Sequence, residues 1–219
     1  MATTTPHRSS SKRPCTAPYK TSVSSITTGH GDGGETGLLY GGRVAKDDLH
    51  TEAYGSLDEA ISALGLARSL TDSPERAARI LELQRELFVV GAELATGPGH
   101  RADLESHFNV VTAAMADALE NEIHDLEARV PLPGGFVIPG GTPVGAAIDL
   151  ARTLVRRAER RTVSLQRAGG VENPEVLRYL NRCSDLLFML AREAEQGATV
   201  ASGGQRRREV DGKTSSGND

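Results

Sequence analysis

Four charged side chains, Arg152, Arg156, Glu159 and Arg160, recur at spacings of three, four and one within the run PVGAAIDLARTLVRRAERR. At about 100° per residue they stack on one side of a helix. Three guanidinium groups at i, i+4 and i+8 repel one another unless an anion lies across them, and Glu159 alone cannot neutralise all three. A polyanion such as triphosphate suits the row, because guanidinium meets phosphate oxygens in short, charge-assisted bonds. The same spacing also describes a solvated charged face on which Glu159 pairs with its neighbours. On the opposite side Ala147, Leu150, Ala151, Leu154, Val155 and Ala158 form an apolar arc, which makes that side core.

Other chemistry is largely excluded by what is missing. No Glu-x-x-His pair occurs twice, and His107 and His124 are isolated, so a carboxylate-bridged metal centre in a helix bundle is not expected. Neither G-x-S-x-G nor a cysteine in a glycine-rich elbow is present, which leaves no protein nucleophile. Residues 23–42, VSSITTGHGDGGETGLLYGG, hold seven glycines, enough for backbone N–H groups to turn inward around an anion or simply for a flexible linker. Asp58 directly follows the core position Leu57, on a flank that can meet an arginine of a neighbouring helix or subunit. Asn181 likewise follows Leu180. Structural roles are open to both, Asp58 as a salt-bridge anchor and Asn181 as an interhelical hydrogen-bonding group.

The elements that carry these residues are helices. Apolar spacings of three and four predict helix one from Asp47 or Asp48 to Leu70, and helix two from Pro74 to Ala95 through Ala77, Leu81, Leu87, Phe88 and Leu94. Helix three is predicted over Asp103 to Arg129 through Val111, Met115, Leu119, Ile123 and Leu126. Helix four covers Pro143 to Gln166 behind Thr142 as N-cap, and helix five covers Pro174 to Gln196. No convincing strand is read. The fold class expected is therefore all-α, a five-helix antiparallel bundle with a glycine-rich N-terminal loop. Its domain spans residues 23–200, between a disordered leader at 1–22 and a disordered tail at 201–219.

Composition narrows the partners. A net charge of -4 gives no general attraction to nucleic acid, and no apolar run is long enough to span a membrane. Two cysteines, Cys15 and Cys183, make no disulfide framework, which suits a reducing compartment, and the expected location is the cytoplasm. Cys183 falls on the apolar pattern and reads as a small core residue.

Five blocks in order carry a resemblance: TGHGDGGETGLL with RVAKDD, EAYGSLDEAISALG, ELFVVGAELAT, FVIPGGTPVGAAIDLARTLVRRAERR and YLNRCSDLLFMLAR. Together, over about residues 26–196, they resemble the PduO-type cob(I)alamin adenosyltransferases. The resemblance implies a homotrimer with active sites between adjacent subunits. It further implies transfer of the 5'-deoxyadenosyl group of Mg-ATP to the cobalt of cobalamin, with release of triphosphate. A flavoprotein reductase and an adenosylcobalamin-dependent enzyme would be its partners. The corrinoid cobalt, reduced to Co(I), is then the nucleophile, which accounts for the lack of one in the protein.

Matched position by position, Thr28, Gly29, His30, Gly31, Thr36 and Gly37 correspond to the loop that wraps ATP, and Lys46 to its phosphate-binding lysine. Arg156, Glu159, Arg160 and Asn181 correspond to nucleotide contacts, and Arg152 to the arginine that pairs across the subunit boundary with Asp58. Phe136 corresponds to the aromatic residue that excludes the lower axial ligand of cobalt. One departure stands out: the family's loop usually reads T-K-T-G-D, whereas here it reads Thr28-Gly29-His30-Gly31-Asp32. A non-catalytic corrinoid carrier and a purely structural helical assembly are the rival readings. The carrier would keep Phe136 and the bundle but need neither the arginine row nor the glycine-rich loop, and absence of thermal stabilisation by ATP would favour the structural assembly.

Overall fold

The computed structural model describes residues 27–132, 134–195 and 197–201. Each long helix begins where a side chain caps it. Asp48 accepts from the His50 N–H ahead of α1 (Leu49–Leu70), and Ser73 accepts from the Arg76 N–H ahead of α2 (Pro74–Leu94). Thr112 caps α4 (Ala113–Arg129), and Thr142 caps α5 (Pro143–Arg167) through the Gly145 N–H at 3.1 Å. Asn173 accepts from the Glu175 N–H at the start of α6 (Glu175–Glu195). Caps of this kind are each worth about 1 kcal/mol. The end of α5 is fixed by Gly169 at φ +81°, after which a side chain on Gly170 would stand 2.4 Å from Leu165 Cδ1.

Helix three of the sequence reading is interrupted. A short α3 (Arg101–Glu105) buries Leu104, and the helical path resumes only at Ala113. Val111 explains the break, because both of its backbone groups are bonded elsewhere: its N–H donates to Glu93 and its carbonyl accepts from Asn173 Nδ2 at 2.8 Å. A residue held on both sides in this way cannot join a helical ladder.

The five long helices follow one another around the core in the order α1, α5, α6, α4, α2, with α2 reaching α4 through the Arg79–Glu122 pair. Ion pairs Arg157–Glu59 and Arg161–Glu52 run in opposite chain directions along α1 and α5, which makes these two antiparallel. Asp149–Arg192 and Glu159–Asn181 do the same for α5 and α6. Alternation around an odd number of helices must leave one parallel pair. It is α4 and α6, where Asp117 and Glu120 meet Arg178, Glu120 meets Arg182, and Arg129 meets Glu193.

The core fills the ring, with Leu57, Leu64, Leu83, Leu87, Ile148, Val155, Leu180 and Leu187 sealed from solvent. Cys183 is buried there as expected, and burial pushes its thiol up to about 12. Some positions assigned to the core by periodicity are not in it: Ala77 and Leu81 are half-buried, and two others are open to solvent. Leu150 is 49% and Phe88 62% exposed. Because α5 is wedged between α1 and α6, its buried strip follows Ala147, Ile148, Asp149, Ala151, Val155 and Ala158, which moves the apolar edge away from Leu150. On α2 the buried set is Ile80, Leu83, Leu87, Val90 and Leu94, one position rotated from the arc that would include Phe88.

Two short ribbons add strands that periodicity did not announce. β1 (Glu35–Gly37) pairs antiparallel with β2 (Arg43–Ala45), and β3 (Val137–Ile138) with β4 (Val200–Ala201). No described helix is long and apolar enough to cross a membrane. The leader reading at 1–22 lies outside the described residues, as does the tail reading at 201–219 except for Ala201, which ends β4.

Candidate functional site

The wedge position of α5 decides what its charged side chains can reach. Arg157 and Arg161 lie on the α1 side and are ion-paired to Glu59 and Glu52. Arg152, Arg156, Glu159 and Arg160 lie toward α6. Arg152 is paired to Asp149 at 2.9 Å on its own helix, and Glu159 Oε1 accepts from Asn181 Nδ2 of α6 at 3.2 Å. Arg160 Nη1 donates to the Arg156 carbonyl at 2.9 Å. Among the described residues, neither Arg156 nor Arg160 is in an ion pair, and Arg156 acts on Asp185 only at longer range across the α5–α6 face. That is the condition under which the row attracts an anion.

Arg152 and Arg156 line a cleft of about 260 Å³ together with Glu127, Asp185, Phe188 and Met189. Burial raises the Asp185 carboxyl above its ordinary range, with Arg182 and Arg156 pulling the other way. Phe188 is flanked by two cations, with the Arg152 guanidinium 5.9 Å and the Arg192 guanidinium 5.0 Å from its ring centre. An aromatic face so placed is favourable for both charges. Asn181 also accepts from Arg182 Nη1 at 2.7 Å, so its side chain is fixed from two directions.

The glycine-rich segment is folded against the start of α1 and the end of α2. Asp32 N–H bonds the Gly29 carbonyl and Gly34 N–H the Gly31 carbonyl, both at 3.2 Å, in two successive turns. Thr28 Oγ1 accepts from the His30 N–H, and Arg43 Nη2 donates to the His30 carbonyl at 2.9 Å. Lys46 lies across the loop, with Nζ 2.9 Å from where a side chain on Gly31 would begin. Gly31 therefore has to lack one for Lys46 to stand there. Thr36 stands close enough to the Tyr54 hydroxyl on α1 to oppose the rise that burial gives it, and Gly37 closes β1 opposite Arg43. Tyr40 ties the loop to the end of α2 by accepting from the Gly97 N–H at 2.8 Å.

Asp58 shares this side. It is exposed and lines a groove of about 470 Å³ between α1 and α2 with Leu39, Tyr54, Phe88 and Phe108, and burial raises its carboxyl above the ordinary range. Within one chain Asp58 does not meet Arg152, whose partner is Asp149. Phe136 is 87% exposed just ahead of β3 and does not line the cleft that Arg152 and Arg156 share, although Leu132 of the same connection does. The chain thus carries two sets of candidate residues: the loop with Asp58 beside the α1–α2 groove, and the arginine row with Asn181 on the α5–α6 face, of which Arg152 and Arg156 line the cleft.

The sequence reading missed a buried quartet behind the row. Asp149 joins Arg152 to Arg192, and Arg192 Nε lies 3.1 Å from Glu195 Oε2. The signal was available, since Asp149 falls inside the apolar strip of α5 and a charge there demands a partner. It also missed Tyr179, whose hydroxyl donates to Glu86 at 2.6 Å beside the Arg79–Glu122 pair.

A family model described as cobalamin adenosyltransferase matches residues 26–194. A corrinoid adenosyltransferase of Mycobacterium leprae (strain TN) is 38% identical over 178 residues, covering 80% of this chain and 93% of the relative. One from Bacillus subtilis (strain 168) is 40% identical over 171 residues, covering 76% and 84%. Among solved structures, a variant PduO-type ATP:corrinoid adenosyltransferase from Lactobacillus reuteri complexed with cobalamin and ATP superposes with a TM-score of 0.71 at 35% identity. That match covers 78% of this chain and 93% of the other. The family model's match over residues 26–194 and relatives at 38–40% identity show that the chain belongs to the cobalamin adenosyltransferase family.

Proposed function

We propose that this protein transfers the 5'-deoxyadenosyl group of ATP to the cobalt of a reduced corrinoid, forming adenosylcobalamin and releasing triphosphate. The observation that carries the reading is the pair Arg156 and Arg160, outside any ion pair among the described residues, on α5 beside the Asn181–Glu159 contact and next to a cleft walled by Phe188. In the reaction Co(I) supplies the electron pair, the new bond forms from cobalt to the ribose C5', and the C5'–O bond breaks toward triphosphate. Negative charge grows on the leaving oxygen, where Arg156 and Arg160 offer fixed donors.

The remaining residues bind and orient. Thr28, Gly29, His30, Gly31, Thr36, Gly37 and Lys46 enclose the nucleotide from the loop side, and Phe136 covers the lower face of the corrin without offering a lone pair. Cobalamin and ATP have to be held with cobalt near C5', which is a matter of positioning rather than of a protein nucleophile. Among the described residues no group of three or more His, Cys, Asp or Glu converges, so Mg²⁺ would be held by phosphate oxygens and water.

Because the loop and the arginine row stand at different edges of one chain, the complete site is assigned to the boundary between copies of a homotrimer, with Arg152 meeting Asp58 of the neighbour. The catalytic domain spans 23–200 and works in the cytoplasm, alongside a flavoprotein reductase and an adenosylcobalamin-dependent enzyme. The test is direct: purified protein, chemically reduced cobalamin and Mg-ATP, followed by the change of the corrinoid absorbance on forming the cobalt–carbon bond. A spectrum that stays that of cob(I)alamin overturns the assignment.

A further inference from the structure

Asp149 sits in the strip of α5 that faces α6 and is 2% exposed. A carboxylate at that depth has to be met by charge or hydrogen bonds. Its two oxygens are divided between two arginines: Oδ1 accepts from Arg152 Nε at 2.9 Å, and Oδ2 accepts from Arg192 Nη2 at 2.5 Å. Arg192 is itself sealed, with 1% of its side chain exposed and Nε 3.1 Å from Glu195 Oε2. Glu195 then accepts from the Gly141 N–H at 3.0 Å and from the Thr199 hydroxyl at 2.7 Å.

Two consequences follow for Arg152. Guanidinium is planar, so a bond at Nε fixes the plane and leaves the terminal nitrogens for other partners. Asp149 therefore holds Arg152 with its Nε edge inward, while the same side chain lines the cleft beside Arg156. The chain of contacts then continues through Arg192 and Glu195 to Gly141, in the turn that links β3 to α5. Phe136 stands just ahead of β3, the strand that this turn follows. An anchor for Arg192 alone would not need the Oδ1–Nε bond.

We propose that Asp149 is a positioning residue, which sets the orientation of Arg152 and links it through Arg192 and Glu195 to the segment that presents Phe136. The proposal rests on the reading of Arg152 as a site residue given above.

A double-mutant cycle on the full chain tests it, with kcat/KM for adenosyl transfer and the thermal midpoint measured for Asp149→Asn, Arg152→Ala and the pair. Asp149→Asn should lower kcat/KM about 10- to 100-fold, as when a supporting partner of a reacting group is lost. In the Arg152→Ala background it should add no further kinetic loss, although the thermal midpoint still falls. Losses that multiply, or a kcat/KM within about twofold of wild type for Asp149→Asn, overturn the proposal.

If Asp149→Asn does not fold, the wild-type chain decides by nitrogen-15 spectroscopy. The Arg152 Nε–H, assigned by its loss in Arg152→Lys, should exchange slowly with solvent, and fast exchange overturns the proposal. A protected Nε–H in a wild-type chain that transfers no adenosyl group overturns the proposed activity and the kinetic role of Asp149 with it. That result differs from fast exchange in an active enzyme, which removes the positioning role alone.

Discussion

Asn181 Nδ2 donates to Glu159 Oε1 across 3.2 Å, which engages the only acid of the α5 row with the neighbouring helix. Glu159 is thereby turned toward α6, and Arg156 and Arg160 keep their charge unpaired among the described residues. An asparagine that could have served only to join two helices also sets the electrostatics of the row.

Arg156→Ala should reduce adenosyl transfer about 10²-fold or more, the scale lost when one charge-stabilising donor is removed. Its side chain is exposed, so the thermal midpoint should hardly move. Steady-state kinetics with cob(I)alamin and ATP check this, and an unchanged rate removes Arg156 from the site.

Phe136→Ala should leave ATP binding intact while slowing reduction of Co(II). The ring is 87% exposed and supports no core, so any effect reports on the ligand rather than the fold. Equal rates of Co(II) reduction in the two proteins would remove that role.

Gly41→Ala should detach the loop from the bundle. Gly41 has φ +105°, and a Cβ there would stand 2.9 Å from Gly97 Cα, a backbone atom that cannot swing away. The expected outcome is weaker ATP binding by calorimetry with a folded helical core. Unchanged affinity would show that docking on α2 does not matter for the nucleotide.

Glu93→Gln should flatten the acid side of the stability profile. Burial raises the Glu93 carboxyl first, with its bonds to Val111 and Asn173 acting against that rise. A folded value above the unfolded one means that the native state favours the protonated form, so its contribution is full below the unfolded pKa and is lost as pH rises through the folded one. Glutamine keeps an oxygen for Val111 and Asn173 but cannot ionise. Thermal midpoints measured from about pH 4 to 7 should therefore fall less with rising pH in the variant than in wild type.

Much of the architecture was readable because local chemistry and tertiary packing agree. Asp48, Ser73 and Thr142 cap helices where hydrophobic periodicity begins, and Pro74 and Pro143 sit where a missing N–H costs nothing. What escaped depended on distant partners. Val111 interrupts a helical pattern because Glu93 and Asn173, far away in sequence, capture its backbone. Strands of two or three residues such as Val137–Ile138 are too short to show alternation. Arg156 and Asn181 are brought to one α5–α6 face as expected, and the resemblance pointed to them. Asp149 was hidden because a wheel that sorts residues by polarity has no place for a carboxylate satisfied inside the core.

The lone like-oriented pair in the ring, α4 beside α6, sets two helix macrodipoles side by side with the same ends together, an arrangement that repels where alternating neighbours attract. Carboxylates on α4 and guanidiniums on α6 are interleaved along that seam at Asp117, Glu120, Arg178 and Arg182. These contacts are partly solvated, so mobile ions weaken them more than the sealed Asp149–Arg192 pair. Ionic strength should consequently weaken the α4–α6 seam before it weakens the sealed Asp149–Arg192 contact that ties α5 to α6.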